Sequence, residues 1–227
     1  MNPEAGESST RALVKGSDTP SLNLQHAWFE ATRNRSWRSL ALVPVQENTP
    51  TIELARGFGR MASQELTGRV LVVNASLKDC RLRGDSGESP KVDVWNAMTG
   101  VEFEDNDATQ FSYDFMDFSK LLVDEAEQAL AFAPKLIDRL TADESPHSTT
   151  IFAVDSLLTQ TRAIPLARAV DRVVLCVTLG VTPVRSARRL IEIVGRDKIV
   201  GSIVFRPKAQ SPDTSAVDRL KRTRKDG

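Results

Sequence analysis

Ser39-Leu-Ala-Leu-Val-Pro-Val45, Gln46-Glu-Asn-Thr-Pro-Thr51, Ile52 to Gln64 and Arg69-Val-Leu-Val-Val-Asn-Ala-Ser-Leu77 follow one another in the chain, and their reading decides the fold. The first stretch is a short apolar run with the length of a strand. The second is turn material. The third spaces its apolar residues at helical intervals, and the fourth, beginning after the break at Thr67-Gly68, is a second apolar run. Strand, loop, helix and strand in that order predict a βαβ unit, whose first loop sits where a phosphate-binding loop would sit.

The same alternation continues towards the C-terminus. Thr149 to Asp155 reads as a strand ending in an acid, Ala163 to Ala169 as a short helix, and Arg172 to Thr178 as a buried strand. Pro183 to Val194 reads as a helix and Ile199 to Phe205 as a last strand. For the Pro183 helix, Thr182 is the expected N-cap, Pro183 the first helical residue and Gly195 the stop. Near-continuous Val, Ile and Leu strands separated by helices predict an α/β fold with three layers, a mostly parallel sheet covered on both faces.

Between these blocks, Leu22 to Trp37 predicts a helix with Leu24, Trp28 and Ala31 on one side. Lys78 to Pro90 reads as an irregular crossover, and Val92 to Val101 fits a short helix or a strand. Val101 to Asp117 holds six acidic residues and no Lys or Arg, and the alternation around Phe111, Tyr113 and Phe115 predicts a half-exposed strand near a sheet edge. Phe118 to Leu140 is helical in pattern, with Pro134 marking a kink or the first turn of a second helix. Residues 1–20 are too poor in apolar residues to fold alone and are expected to be a disordered tail. The folded domain is expected over 21–206, and 207–227 reads as a polar tail with six basic against three acidic residues.

Composition narrows the function. The 227 residues contain 30 Lys and Arg against 30 Asp and Glu, so no global field steers the protein to nucleic acid or to an acidic membrane. The two cysteines, Cys80 and Cys176, lie far apart, which fits a reducing cytoplasm better than a disulfide framework. No run approaches the roughly 20 apolar residues of a membrane span, and no secretory signal is read at the start. His26 and His147 have no Cys or acidic residue at ligand spacing, which argues against a metal site. Ser156 lies in no Gly-x-Ser-x-Gly context. Arg185, Arg188 and Arg189 read as a solvated helix face.

Taken together, the blocks Leu40 to Lys78 and Ile151 to Arg206 resemble the cytoplasmic ATPase domain of the bacterial tyrosine kinases that accompany polysaccharide co-polymerases, a branch of the MinD/ParA-like P-loop proteins. In the second block, Ile-Phe-Ala-Val-Asp155, Asp-Arg-Val-Val-Leu-Cys-Val177, Gly-Val-Thr-Pro-Val-Arg185 and Lys-Ile-Val-Gly-Ser-Ile-Val204 follow the family's order of Walker B strand, next strand, helix start and last strand. The resemblance implies a P-loop-like fold over residues 25–206 and a role in making or exporting capsule, exopolysaccharide or holdfast.

The residues that carry the family's chemistry are replaced one by one. A phosphate loop needs glycines, a Lys for the terminal phosphates and a hydroxyl on Mg²⁺. The loop here, Gln46, Glu47, Asn48, Thr49, Pro50 and Thr51, has neither glycine nor lysine, and no Lys occurs between Lys15 and Lys78. The second strand ends in Asn74 and Ser76 where the family has aspartates, leaving only Asp155 at the Walker B position. Asp155 has an alternative reading as a turn or helix-cap acid, and Asn74 and Ser76 as turn formers. The target tyrosines are absent from the tail, and Tyr113 is the chain's only tyrosine. The family's oligomerisation motif survives only as Glu30 and Arg33.

These replacements predict no catalytic residues, no metal and no bound cofactor. The protein is expected to be a pseudo-kinase, cytoplasmic and held peripherally at the inner membrane by a polysaccharide co-polymerase or chain-length regulator, with no nucleic-acid partner and with homo-oligomerisation left open. The alternative reading is an active protein-tyrosine kinase or ATPase with an atypical pocket for ATP and Mg²⁺, built on Asp155 and an arginine such as Arg56.

Overall fold

The computed structural model describes residues 22–33, 37–66, 68–78, 80, 113–143 and 145–206. The expectations for both tails, for most of the Lys78 to Pro90 crossover, for Val92 to Val101 and for Phe111 lie outside those residues.

Six strands form one sheet: β1 (Ser39–Pro44), β2 (Arg69–Asn74), β3 (Asp114–Asp117), β4 (His147–Ala153), β5 (Arg172–Thr178) and β6 (Ile199–Phe205). Their order across the sheet is β3-β2-β4-β1-β5-β6, and every pairing is parallel. Six α-helices accompany them among the described residues: α1 (Leu22–Thr32), α2 (Thr51–Glu65), α3 (Val123–Ala131), α4 (Ala133–Thr141), α5 (Ile164–Ala169) and α6 (Val184–Val194). The expected three-layer α/β architecture is the observed one.

Alternating strand residues divide between two cores. Leu40, Leu42, Val70, Val72, Ile151 and Cys176 face α1 and α2, whereas Ala41, Val43, Leu71, Val73, Phe152 and Leu175 face α3 to α6. This period-two division is what a strand with both faces buried requires. On the first face Phe58 of α2 is fully buried and packs edge-on against Trp28 of α1, with ring centroids 5.2 Å apart. Burial of such a ring contributes about 1.5–3 kcal/mol. The same helix lies unusually close to the sheet at Gly59, where a Cβ would stand 2.5 Å from Val72 Cγ2 and 3.1 Å from Tyr113 Cγ. No larger residue fits there without moving α2.

Three expectations are corrected, and one open choice is decided. Helix α1 ends at Thr32 and does not run to Trp37. There the Thr32 hydroxyl folds back on the Trp28 carbonyl (2.9 Å), and Trp37 turns inward to donate its indole N–H to the Ala31 carbonyl (3.1 Å), one of the carbonyls a helix end leaves open. Strand β3 lies at the sheet edge as expected but is not half exposed. Tyr113 and Phe115 join the α2 side and Met116 the opposite core, because helices cover both faces even at the edge. Thr182 does not cap α6. Its hydroxyl accepts the N–H of Thr178 (2.9 Å), and Pro183 stands at the cap position without a side-chain bond. Finally, Pro134 starts a second helix: it opens α4 in its first turn, with exposed Phe132 at the junction.

Polar residues at the amino ends of the strands tie the sheet together. Asp171 accepts the N–H groups of Arg38 and Ser39 and the Ser39 hydroxyl, all at 2.8–2.9 Å. Burial raises the pKa of that carboxyl, but these three bonds and the charge of Lys198 outweigh it and hold the group below the usual carboxylate value. At the other side, buried Asp114 bridges the Arg69 guanidinium (2.8 Å) and Nε2 of buried His147 (2.7 Å). Both cysteines are buried and outside any disulfide, and burial pushes the Cys176 thiol far above its ordinary pKa, so it remains a protonated, inert thiol.

Candidate functional site

The sheet itself marks the place. β1 and β4 are neighbours, but β1 runs on into α2 on one face and β4 into α5 on the other. In an open parallel sheet the crevice at the carboxyl ends of two such strands is the usual ligand position. Its rim is formed by the Gln46–Thr51 loop after β1, Asn74 closing β2 and Ser76 after it, Asp117 closing β3, Asp155 and Ser156 after β4, and Thr178 closing β5. The structure therefore brings to one end of the sheet the residues that the sequence assigned to a vestigial site, and Glu30 and Arg33, assigned to oligomerisation, lie exposed on and just beyond α1.

The first-strand loop turns three of its donors onto protein carbonyls. The Thr49 hydroxyl donates to the Gln46 carbonyl (3.0 Å), the Thr51 N–H donates to the Thr49 carbonyl (2.8 Å), and Pro50 has no N–H. Asn48 takes a left-handed conformation (φ 62°), a turn that a glycine would make at less cost. The Gln46 amide reaches across to the Val181 carbonyl (3.0 Å), which pins the loop to the segment after β5. Carboxylates stand at the mouth: Glu47 in the loop and Glu53 in the first turn of α2, both exposed. Glu53 complements the positive end of the helix dipole, the charge that a phosphate would otherwise use.

Asp155 is closed in the same way. One carboxylate oxygen accepts the Ser76 hydroxyl (2.8 Å) and the other the Leu77 N–H (2.8 Å), with the residue only 6% exposed. Asn74 donates its amide to Asp117 (2.9 Å) and accepts the Ser76 N–H (3.3 Å) through its oxygen. Asp117 also takes the Ser119 N–H (3.0 Å), capping the short 3₁₀ turn at Phe118–Lys120. On the other side the Ser156 hydroxyl donates to the Val45 carbonyl (3.1 Å). The carboxyl ends of β2, β3, β4 and β1 are thus laced to one another by short polar side chains.

Two residues of this rim carried no assignment from sequence. Asp117 was one acid within an acidic run, although Asp-x-Ser ahead of a turn is a legible capping pattern. Lys78 was a residue beyond the second strand, but the turn after β2 returns its Nζ to 3.8 Å from Glu47 Oε2. Arg56, the arginine considered for an atypical pocket, lies instead over the Phe115 ring, 4.3 Å from its centroid. Among the described residues no three His, Cys, Asp or Glu side chains are grouped to hold a metal ion.

The chemistry open to this set is limited. A triphosphate with Mg²⁺ needs free N–H donors, a cation beside the terminal phosphates and a carboxylate free to bind the metal's water shell. The loop offers no cation, its Thr49 hydroxyl and Thr51 N–H are bonded within the loop, carboxylates stand at its mouth at Glu47 and at Glu53 of α2, and the one Walker-type acid has both oxygens engaged. These residues do not fit a magnesium nucleotide held in the P-loop manner.

No protein-family model matches the chain, and no curated protein matches it in sequence. Solved structures do match. The VpsO kinase domain superposes with a TM-score of 0.61 at 16% identity over 81% of this chain and 92% of that one. The kinase domain of the Escherichia coli tyrosine kinase ETK gives 0.57 at 14% identity, covering 82% and 75%, and the chimerical protein CapA2B2 gives 0.54 at 15%, covering 82% and 81%. At these identities the shared property is the fold: the chain has the three-layer architecture of bacterial tyrosine kinase domains.

Proposed function

We propose that this protein is a non-catalytic relative of the bacterial tyrosine kinases, a cytoplasmic docking or regulatory subunit for an inner-membrane polysaccharide co-polymerase that acts in making or exporting an extracellular polysaccharide. The observation that carries the reading is Asp155. The acid that a phosphoryl-transfer site would turn towards Mg²⁺ is instead bonded at both oxygens to Ser76 and Leu77, beside a loop with no glycine and no lysine, whose Thr49 hydroxyl is bonded to the Gln46 carbonyl. Phosphoryl transfer on such a scaffold depends on positioned cations and phosphate-binding N–H groups, and these are the groups replaced. What remains is a rigid α/β body with a laced rim. No helix among the described residues is long and apolar enough to cross a membrane, which is consistent with attachment through a partner.

One observation favours the second reading, an ATPase or protein-tyrosine kinase with an atypical pocket: Lys78 arrives from outside the loop and stands beside Glu47. A genetic complementation separates the two. Deleting the chain from the cell that makes it is expected to reduce surface polysaccharide, and Lys78→Ala supplied at wild-type level is expected to restore it, since Lys78 is half exposed and makes only a long ion pair. Normal polysaccharide after deletion would remove the proposed role. Failure of Lys78→Ala to restore it would move the function to nucleotide chemistry.

A further inference from the structure

The last strand is an open edge built to pair. Among the described residues nothing hydrogen-bonds to the outer side of β6, which ends the sheet. Its sequence, Ile199-Val-Gly-Ser-Ile-Val-Phe205, contains no charge and no proline, and Val204 is 54% exposed. Natural edge strands are normally blunted by Lys, Pro or a bulge; in β6 the one irregularity, an extra residue at Val200, lies at the strand's start, and the apolar edge from Gly201 to Phe205 is regular, a template for another strand.

Which groups point outward follows from the pleat. The Phe205 carbonyl accepts the Leu179 N–H, so residues 201, 203 and 205 address β5, and Ser202 and Val204 turn both N–H and C=O away from the sheet. Side chains divide correspondingly. Ile203 and Phe205 lie on the α1 side with Gly201 in phase, and Ser202 and Val204 lie exposed on the α6 side. On the α1 side β6 borders a groove of about 930 Å³, lined by His26, Ala27 and Glu30 of α1 and by Val200, Gly201 and Arg206.

We propose that β6 is the interface between two copies of this chain, paired antiparallel about a two-fold axis through Ile203 so that the two sheets become one. In that register Ser202 of one copy stands opposite Val204 of the other, and each such pair exchanges both main-chain hydrogen bonds. Every outward N–H and C=O of the regular part of the strand is then satisfied. On the α1 side Phe205 of each copy falls opposite Gly201 of the other. A Cβ at Gly201 would meet nothing within 4 Å, so this is open space, and an aromatic ring laid over a strand glycine is a known stabilising cross-strand pair. Arg206 falls opposite Val200 of the second copy, at a groove that carries Glu30, which supplies the opposite charge. A two-fold about Ser202 would place Gly201 opposite Ile203 and leave Phe205 against the irregular start of the strand, where the register shifts.

Sedimentation velocity on the full chain tests this. The wild type is expected to pass from monomer to dimer as concentration rises through the micromolar range. Val204→Pro removes only an outward N–H, a position where an edge strand tolerates proline, and Val204→Lys places a charge on the exposed side. Both variants are expected to remain monomers at the same concentrations, with the circular dichroism of the wild type and the unfolding midpoint it shows when dilute enough to be monomeric, and Phe29→Asp on α1 is expected to leave the dimer intact. A wild type that is monomeric throughout overturns the proposal. So does a dimer that survives both Val204 variants, or one lost on Phe29→Asp, which would move the interface to α1.

Discussion

Asp114→Ala is expected to destabilise the protein by about 3–5 kcal/mol, because two hydrogen bonds to a buried carboxylate, each worth about 1.5–3 kcal/mol, are lost together. The carboxylate is buried, as is the His147 ring beside it, and it holds Arg69 on its second oxygen. Through these contacts β3, β2 and β4 are joined at their amino ends. Alanine leaves the buried ring without its carboxylate and frees the guanidinium, and β3, with only four residues, loses its strongest anchor at the sheet edge. For a domain of this size the midpoint falls roughly 2–4 °C per kcal/mol, so thermal unfolding should drop by roughly 6–20 °C. Arg69→Ala is the control. The guanidinium end of that pair is largely exposed, and its loss is expected to cost about 1 kcal/mol. Equal midpoints for the two variants would show that the buried His147 contact does not carry the stability assigned to it.

Asp155→Ala is expected to cost about 2–4 kcal/mol, the second largest effect, because two charge-assisted hydrogen bonds disappear and the Leu77 N–H is left buried without an acceptor. Ser76→Ala removes only one of those bonds and is expected to cost about 1 kcal/mol. In chemical denaturation the pair should be non-additive, since the two residues share one contact. A fully stable Asp155→Ala protein would mean that the carboxylate is not a structural tie, and would return it to the role of a free acid awaiting a ligand.

The elements most legible in sequence were those with the most one-sided physics. The apolar runs of β5 and β6 have the bounds read from the sequence: β5 is buried between the helices, and β6, at the sheet edge, is delimited by the Arg196–Lys198 turn before it and by Arg206 after it. Pro134 was legible as either a kink or a helix start, and its place is the first turn of α4, where a missing N–H costs nothing. The misreadings came where a distant partner decided the outcome. Trp37 left the helix pattern to pack on Trp28 and cap α1. Thr182 had the chemistry of an N-cap, but a nearer donor, the Thr178 N–H, took its hydroxyl. The acid-rich approach to β3 looked half solvated, yet Asp114 is buried on His147, 33 residues away in sequence. No local pattern reports such a pair.

The candidate site shows the same division. The loop's composition already excluded glycine-based phosphate binding, and the order of the strands placed Asn74, Ser76 and Asp155 at one edge. What composition could not give was their mutual satisfaction. Asp155 reads from sequence as an acid short of partners, whereas in the fold it is the acceptor at the centre of a polar lacing that includes Asp117 and Ser156. Lys78 was invisible for the opposite reason: it lies outside the loop in sequence and returns to it only through the turn after β2.

Calorimetric titration of the purified protein with ATP and then ADP, with and without Mg²⁺, tests the central claim most directly. The account predicts no saturable heat at any nucleotide concentration up to the millimolar range, for the wild type and for Lys78→Ala alike. Saturable micromolar binding that requires Mg²⁺ and is lost on Lys78→Ala would contradict it, and would show that a nucleotide can displace the Glu47 and Ser76 contacts that close the crevice.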